Sequence, residues 1–109
     1  MLPVQDDILE KAIVERILAT GSPDRVVLFG SRGRGDARTA SDFDLLIVQP
    51  SSQPRYARSG AYYRAVADLP VEVDIVVYTP EEAAEWASVP KAFVTTALTE
   101  GRILYERAH

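Results

Sequence analysis

The sequence predicts an α/β (α+β) domain with helices packed on a small β-sheet, and three observations carry that expectation. Three apolar segments of strand length, rich in β-branched residues, occur at residues 25–29, 43–48 and 71–78. Helical apolar patterns precede, separate and follow them, which is the order of a sheet covered by helices. The length of 109 residues, with 47% apolar and 26% charged residues, suits one self-folding domain over residues 1–109 and excludes a disordered or fibrous chain.

Each element has a local reason. Over residues 6–20, Ile8, Leu9, Ala12, Ile13, Ile17 and Leu18 fall on one helical stripe, and Gly21 ends it. Val26, Val27, Leu28 and Phe29 form a continuous strand run, and residues 43–48 read the same way. Between them, residues 30–41 are rich in glycine, arginine and small residues, with room for a short helix. Residues 49–54, Gln-Pro-Ser-Ser-Gln-Pro, are a loop by composition. A helix is expected over 56–68, ended by Pro70. Over 71–78 the alternation of Val71, Val73, Ile75 and Val77 with Glu72 and Asp74 signals a strand. Thr79-Pro80-Glu81-Glu82 is a capping box with proline at the first helical position. Pro90 opens a further helix that Gly101 closes, and residues 103–105 form a last short strand.

Composition narrows the chemistry. The chain has no cysteine, and its one histidine, His109, is the last residue. Thiolate catalysis, zinc ribbons and histidine triads are thereby excluded. Carboxylates, hydroxyls, guanidinium groups and backbone amides remain. No run of 18 apolar residues and no basic-then-apolar leader are present, so a soluble, cytoplasmic protein without membrane partners is expected. The net charge of −4 hides a basic middle: residues 25–64 hold seven arginines and three aspartates, or +4, leaving −8 elsewhere. That asymmetry fits an anionic ligand bound at one place better than a surface coating nucleic acid.

The informative segment runs from Leu28 to Leu45. Gly30-Ser31 follows an apolar strand and opens a glycine-rich turn, an arrangement that offers backbone N–H groups to phosphate. Asp42 and Asp44 lie at the mouth of the next strand, where a spacing of two places both carboxylates on one face and turns Phe43 to the other. Like charges 4 Å apart repel by about 4 kcal/mol at an effective dielectric near 20. A proton or a shared cation must relieve this, and with no histidine or cysteine nearby the fitting cation is hard, Mg²⁺ or Mn²⁺. Asp74, set between Val73 and Ile75 in the third apolar strand, supplies a third carboxylate. Three carboxylates on adjacent strands suit phosphoryl transfer with two metal ions.

Gly30-Ser31, ten residues, then Asp42-Phe43-Asp44 resembles the Gly-Ser-x10-Asp-x-Asp signature of the polymerase-beta-like nucleotidyltransferase superfamily. The fuller string from Phe29 to Leu45 is similar to that of the minimal nucleotidyltransferases, which include MntA-type antitoxins paired with HEPN-domain toxins. The resemblance covers residues 25–78, and Gly33 stands where relatives often have alanine. It implies a small mixed sheet with helices packed on it. It also implies transfer of a nucleoside monophosphate from a nucleoside triphosphate to a hydroxyl; for the antitoxin branch this is AMP from ATP to a tyrosine of the toxin. Gly30 and Ser31 would then contact the triphosphate, and Asp42, Asp44 and Asp74 would be the catalytic, metal-holding carboxylates for two Mg²⁺ ions. Arg32 and Arg34 read either as neutralising triphosphate charge or as solvated loop residues. Two other readings compete: a non-catalytic module that neutralises a partner by contact, and a small-molecule (aminoglycoside-type) nucleotidyltransferase.

Individually the same residues have plainer roles. Gly30 can supply a turn, Ser31 an N-cap, and Asp42 a turn with Ser41. The glycine spacing is wrong for a dinucleotide fingerprint, and no Gly-Lys-Ser/Thr exists for a P-loop. Trp86 and Phe93 read as packing residues. Tyr56, Tyr62 and Tyr63, beside Arg55, Arg58 and Arg64, read as packing residues or as facing a nucleotide or a partner.

Overall fold

Four strands pair in the order β3-β2-β1-β4 in the computed structural model, which describes residues 3–29, 43–87, 97 and 100–108, without the side chains of 3–7 and 87. Helix α1 (Pro3–Thr20) leads into β1 (Arg25–Phe29). After β2 (Phe43–Val48) come helices α2 (Arg55–Arg58) and α3 (Gly60–Val66). Then follow β3 (Val73–Tyr78), α4 (Pro80–Ala87) and β4 (Arg102–Glu106). β1 is antiparallel to both β2 and β4, whereas β2 and β3 run parallel. The sheet is therefore mixed, and the parallel pair requires the helical crossover that residues 49–72 supply.

The alternation of side chains along β2 and β3 builds two cores. On one face Phe43, Leu45, Ile47, Val73, Ile75 and Val77 pack with Val26 and Leu28 against Ile13 and Ile17 of α1 and Tyr62 and Val66 of α3. On the other, Val27, Leu46, Val48 and Tyr78 pack against Ala83 of α4 and against Ala97. The crossover is tied to α1 by Arg16, whose guanidinium pairs with Asp68 and donates to the Ala65 carbonyl at 2.9 Å.

Helix termini follow from close approach. A Cβ on Gly101 would fall against the Ala97 carbonyl oxygen, 2.6 Å from Val27 Cγ1 and 2.9 Å from the Leu28 carbonyl oxygen, so a larger residue forces the chain to shift where it enters β4 beside β1. Thr79 and Glu82 form the expected capping box: the Thr79 N–H donates to Glu82 Oε1 at 3.0 Å, and the Glu82 N–H donates to Thr79 Oγ1 at 3.1 Å.

Three expectations are corrected. The helix expected over 56–68 is two, because Arg58 must turn toward β3 and α4 while Tyr62 and Val66 turn into the core, and the chain steps at Ser59 between them. The third strand starts at Val73 rather than 71, since the Val71 N–H is spent on the Leu69 carbonyl at 2.8 Å and the first bond of the β2–β3 ladder, Phe43 N–H to the Glu72 carbonyl at 3.0 Å, is the one that brings Val73 level with Phe43. Ile8 and Leu18 are 60% and 38% exposed, so the core stripe of α1 is narrower than its apolar pattern and centres on Ile13 and Ile17. The expected helix from Pro90 lies largely outside the described residues, as does the short one between residues 30 and 41.

Candidate active site at the rim of the parallel strands

Asp44 and Asp74 are direct register partners at the start of the parallel pair, and Phe29 faces Asp44 from β1. Residues paired in register share a face, so Phe29, Asp44 and Asp74 form one row across three strands. The next row on that face is Val27, Leu46 and Val76, which belong to the second core. The two aspartates thus sit at the rim where apolar packing gives way to solvent; Asp44 is half-buried and Asp74 exposed. Neighbouring strands lie about 4.8 Å apart, which sets the scale of the separation between the two carboxylate stems.

Two hard oxygen donors on adjoining strands, at a solvent-accessible rim, are a donor set that fits Mg²⁺ or Mn²⁺. Among the described residues no group of three or more potential metal ligands is assembled. Of the seven site residues expected from the sequence, the structure brings Asp44 and Asp74 together. Gly30, Ser31, Arg32, Arg34 and Asp42 lie outside the described residues. Because β3 starts at Val73, Asp74 is its second residue rather than one in mid-strand as an extent of 71–78 implies, and this places it level with Asp44.

Beyond Asp74 the same face of β3 carries Val76 and then Tyr78, whose ring lies 4.5 Å below the Arg55 guanidinium. Arg55, Tyr56, Ser59 and residues 75–77 line a groove of about 440 Å³ along the open edge of β3. Tyr62 is packed in the core and its hydroxyl bonds Gln49, with burial pushing its pKa up. Tyr56 is 89% exposed.

Two contacts along β3 were not legible in the sequence. Arg58 makes a bidentate pair with Glu82 at 2.7 and 3.1 Å and donates to the Val77 carbonyl at 3.2 Å. The pair and the Thr79 N–H together hold the Glu82 carboxyl down at about 2. Tyr63 places its hydroxyl on the backbone of Ile75, the residue after Asp74. The helical spacing of Ser59 and Tyr63 was the available signal for the latter, but it does not show which strand that face meets.

Comparison with known proteins identifies the family. Residues 7–104 match the family model for the nucleotidyltransferase domain. A crystal structure of a candidate nucleotidyltransferase from Sulfolobus solfataricus is similar at a TM-score of 0.64 and 24% identity, over 91% of this chain and 78% of that one. A toxin–antitoxin structure with AMP-PNP is similar at 0.63 and 20% identity, over 90% of this chain and 73% of that one. A toxin–antitoxin MntA–HpeT structure carrying two aspartate-to-glutamate substitutions is similar at 0.61 and 18% identity, again over 90% and 73%. A comparison with curated proteins gives no match. The neighbours share the four-stranded mixed-sheet fold, and the family match spans most of the chain: it belongs to the nucleotidyltransferase domain family.

Proposed function

We propose that this chain is a Mg²⁺-dependent, cytoplasmic enzyme that transfers AMP from ATP to a hydroxyl, the acceptor being a tyrosine of a HEPN-domain toxin for which it is the antitoxin. The observation that carries the reading is the in-register pairing of Asp44 with Asp74 at the open rim of the sheet. The family match supports nucleotidyl transfer. The fold shared with a toxin–antitoxin structure holding AMP-PNP supports ATP and a protein partner.

In this reading Asp44 and Asp74, with Asp42 two residues before Asp44, hold the cations. Bound divalent ions supply the charge stabilisation of an in-line displacement and favour the ionised acceptor. Asp74, the more exposed carboxylate and the one on the open edge, faces the acceptor side. Backbone amides near Gly30 and Ser31, with the Ser31 hydroxyl, grip the β- and γ-phosphates, and Arg32 and Arg34 offset their charge. The acceptor oxygen bonds to the α-phosphorus, the bond from that phosphorus to the bridging oxygen breaks, and pyrophosphate leaves with the negative charge. The acceptor proton passes to solvent at the rim.

The test is transfer of α-labelled AMP from ATP to the candidate toxin in the presence of Mg²⁺ or Mn²⁺. Transfer by the wild-type chain that is lost in Asp42→Ala/Asp44→Ala is the expected result. No transfer, or transfer undiminished in that variant, overturns the reading; neutralisation of the toxin by Asp42→Asn/Asp44→Asn as well as by wild type would instead establish neutralisation by contact.

A further inference from the structure

Asp44 and Asp74 face each other but are held differently. Asp44 belongs to β2, which is paired on both sides, by β1 and by β3. Asp74 belongs to β3, which among the described residues ends the sheet and is paired by β2 alone. Along β3 the backbone groups alternate in direction: Tyr78 O accepts the Gln49 N–H at 2.9 Å on the β2 side, so Val73, Ile75 and Val77 direct theirs to the open side. An unpaired edge is where a strand shifts or frays.

At Ile75 a side chain takes the place of the missing strand. The Tyr63 hydroxyl accepts the Ile75 N–H at 2.9 Å and lies 3.4 Å from the Ile75 carbonyl oxygen, to which it donates. That N–H belongs to the peptide unit joining Asp74 to Ile75, so the hydroxyl grips the main chain immediately beyond the Asp74 Cα. The Ile75 side chain is 4% exposed, so this stretch of strand cannot turn its N–H to water without leaving the core. The direction of the Asp74 side chain is set by that main chain, and two carboxylates share an ion only when placed to within about 0.5 Å.

We infer that Tyr63 is a positioning residue: through the Asp74–Ile75 peptide it fixes Asp74 against Asp44 and so sets the affinity of the pair for a divalent cation. The inference rests on the proposed function, which makes the pair a cation site. Tyr63→Phe removes the hydroxyl and keeps the ring. Tyr62→Phe is the control, since it removes a core hydroxyl that bonds Gln49 instead.

Two readouts other than turnover decide it: hydrogen exchange at the Ile75 amide, and Mn²⁺ affinity measured by electron paramagnetic resonance on the full chain. The expected result is faster exchange at Ile75 and about tenfold weaker Mn²⁺ binding in Tyr63→Phe, with Tyr62→Phe at the wild-type affinity. Wild-type Mn²⁺ affinity in Tyr63→Phe overturns the positioning role alone, as does equal weakening in Tyr62→Phe. Absence of Mn²⁺ binding by the wild-type chain overturns the functional reading, and the inference falls with it.

Discussion

The β2–β3 pair treats acidic side chains in opposite ways at its two ends. At the far end, beyond Val48 and Tyr78, Glu82 is closed into the structure by Arg58 and by the Thr79 N–H, with the Arg58 side chain only 8% exposed. At the rim, a half-buried Asp44 stands level with an exposed Asp74 in the register of the parallel pair. A carboxylate that meets a guanidinium and a backbone N–H does structural work. Two carboxylates level with each other on adjoining strands make a donor set that suits a hard divalent cation.

The largest effect expected from breaking that contrast is at the rim. Asp74→Asn should lower AMP transfer by about a thousandfold, in the range seen when a charge-stabilising group is removed from a transition state, while the melting temperature in chelator stays within a few degrees of wild type. A labelled-transfer assay beside a thermal melt separates the two. Next is the far end. Arg58→Ala leaves Glu82 without its guanidinium and should cost about 2–3 kcal/mol, read as a drop in melting temperature of about 10 °C or more. A double-mutant cycle with Glu82→Ala should show that most of this cost is shared between the two residues.

The same pair gives a pH signature. The Glu82 carboxyl is held at about 2 against an ordinary 4.5, so its folded pKa is depressed. Its contribution to stability is complete above about pH 4.5 and is lost as pH falls toward 2. Denaturant titrations across that window should lose less stability in Glu82→Gln than in wild type. The smallest effect expected is from Gly101→Ala, on the β4 side of the sheet. Contact of the new methyl with Val27 and the Leu28 carbonyl should cost about 1–2 kcal/mol, with Mn²⁺ affinity at the rim unchanged.

What the sequence disclosed follows the reach of each interaction. The Thr79–Glu82 capping box was legible because its partners are three residues apart and the motif is local. The strand over Phe43–Val48 was legible because it is buried on both faces and reads as an apolar run. The Arg58–Glu82 pair, 24 residues apart, was not, since an arginine in a polar stretch reads as a solvated one. The break at Ser59 was hidden for the same reason: it reconciles two distant demands, Arg58 toward α4 and Tyr62 toward the core. At the site, the pattern suggested that Asp44 and Asp74 belong together, but their parallel register depends on which strands are neighbours, and periodicity carries no such information.

The central claim, that Asp44 and Asp74 form a cation site for nucleotidyl transfer, is tested most directly by the melting temperature with and without Mn²⁺ and ATP. Ligand at about a hundredfold over its dissociation constant adds about 2.7 kcal/mol to stability. The wild-type chain should therefore melt several degrees higher with both present, and Asp74→Asn should lose most of that gain. An equal gain in wild type and Asp74→Asn would contradict the account.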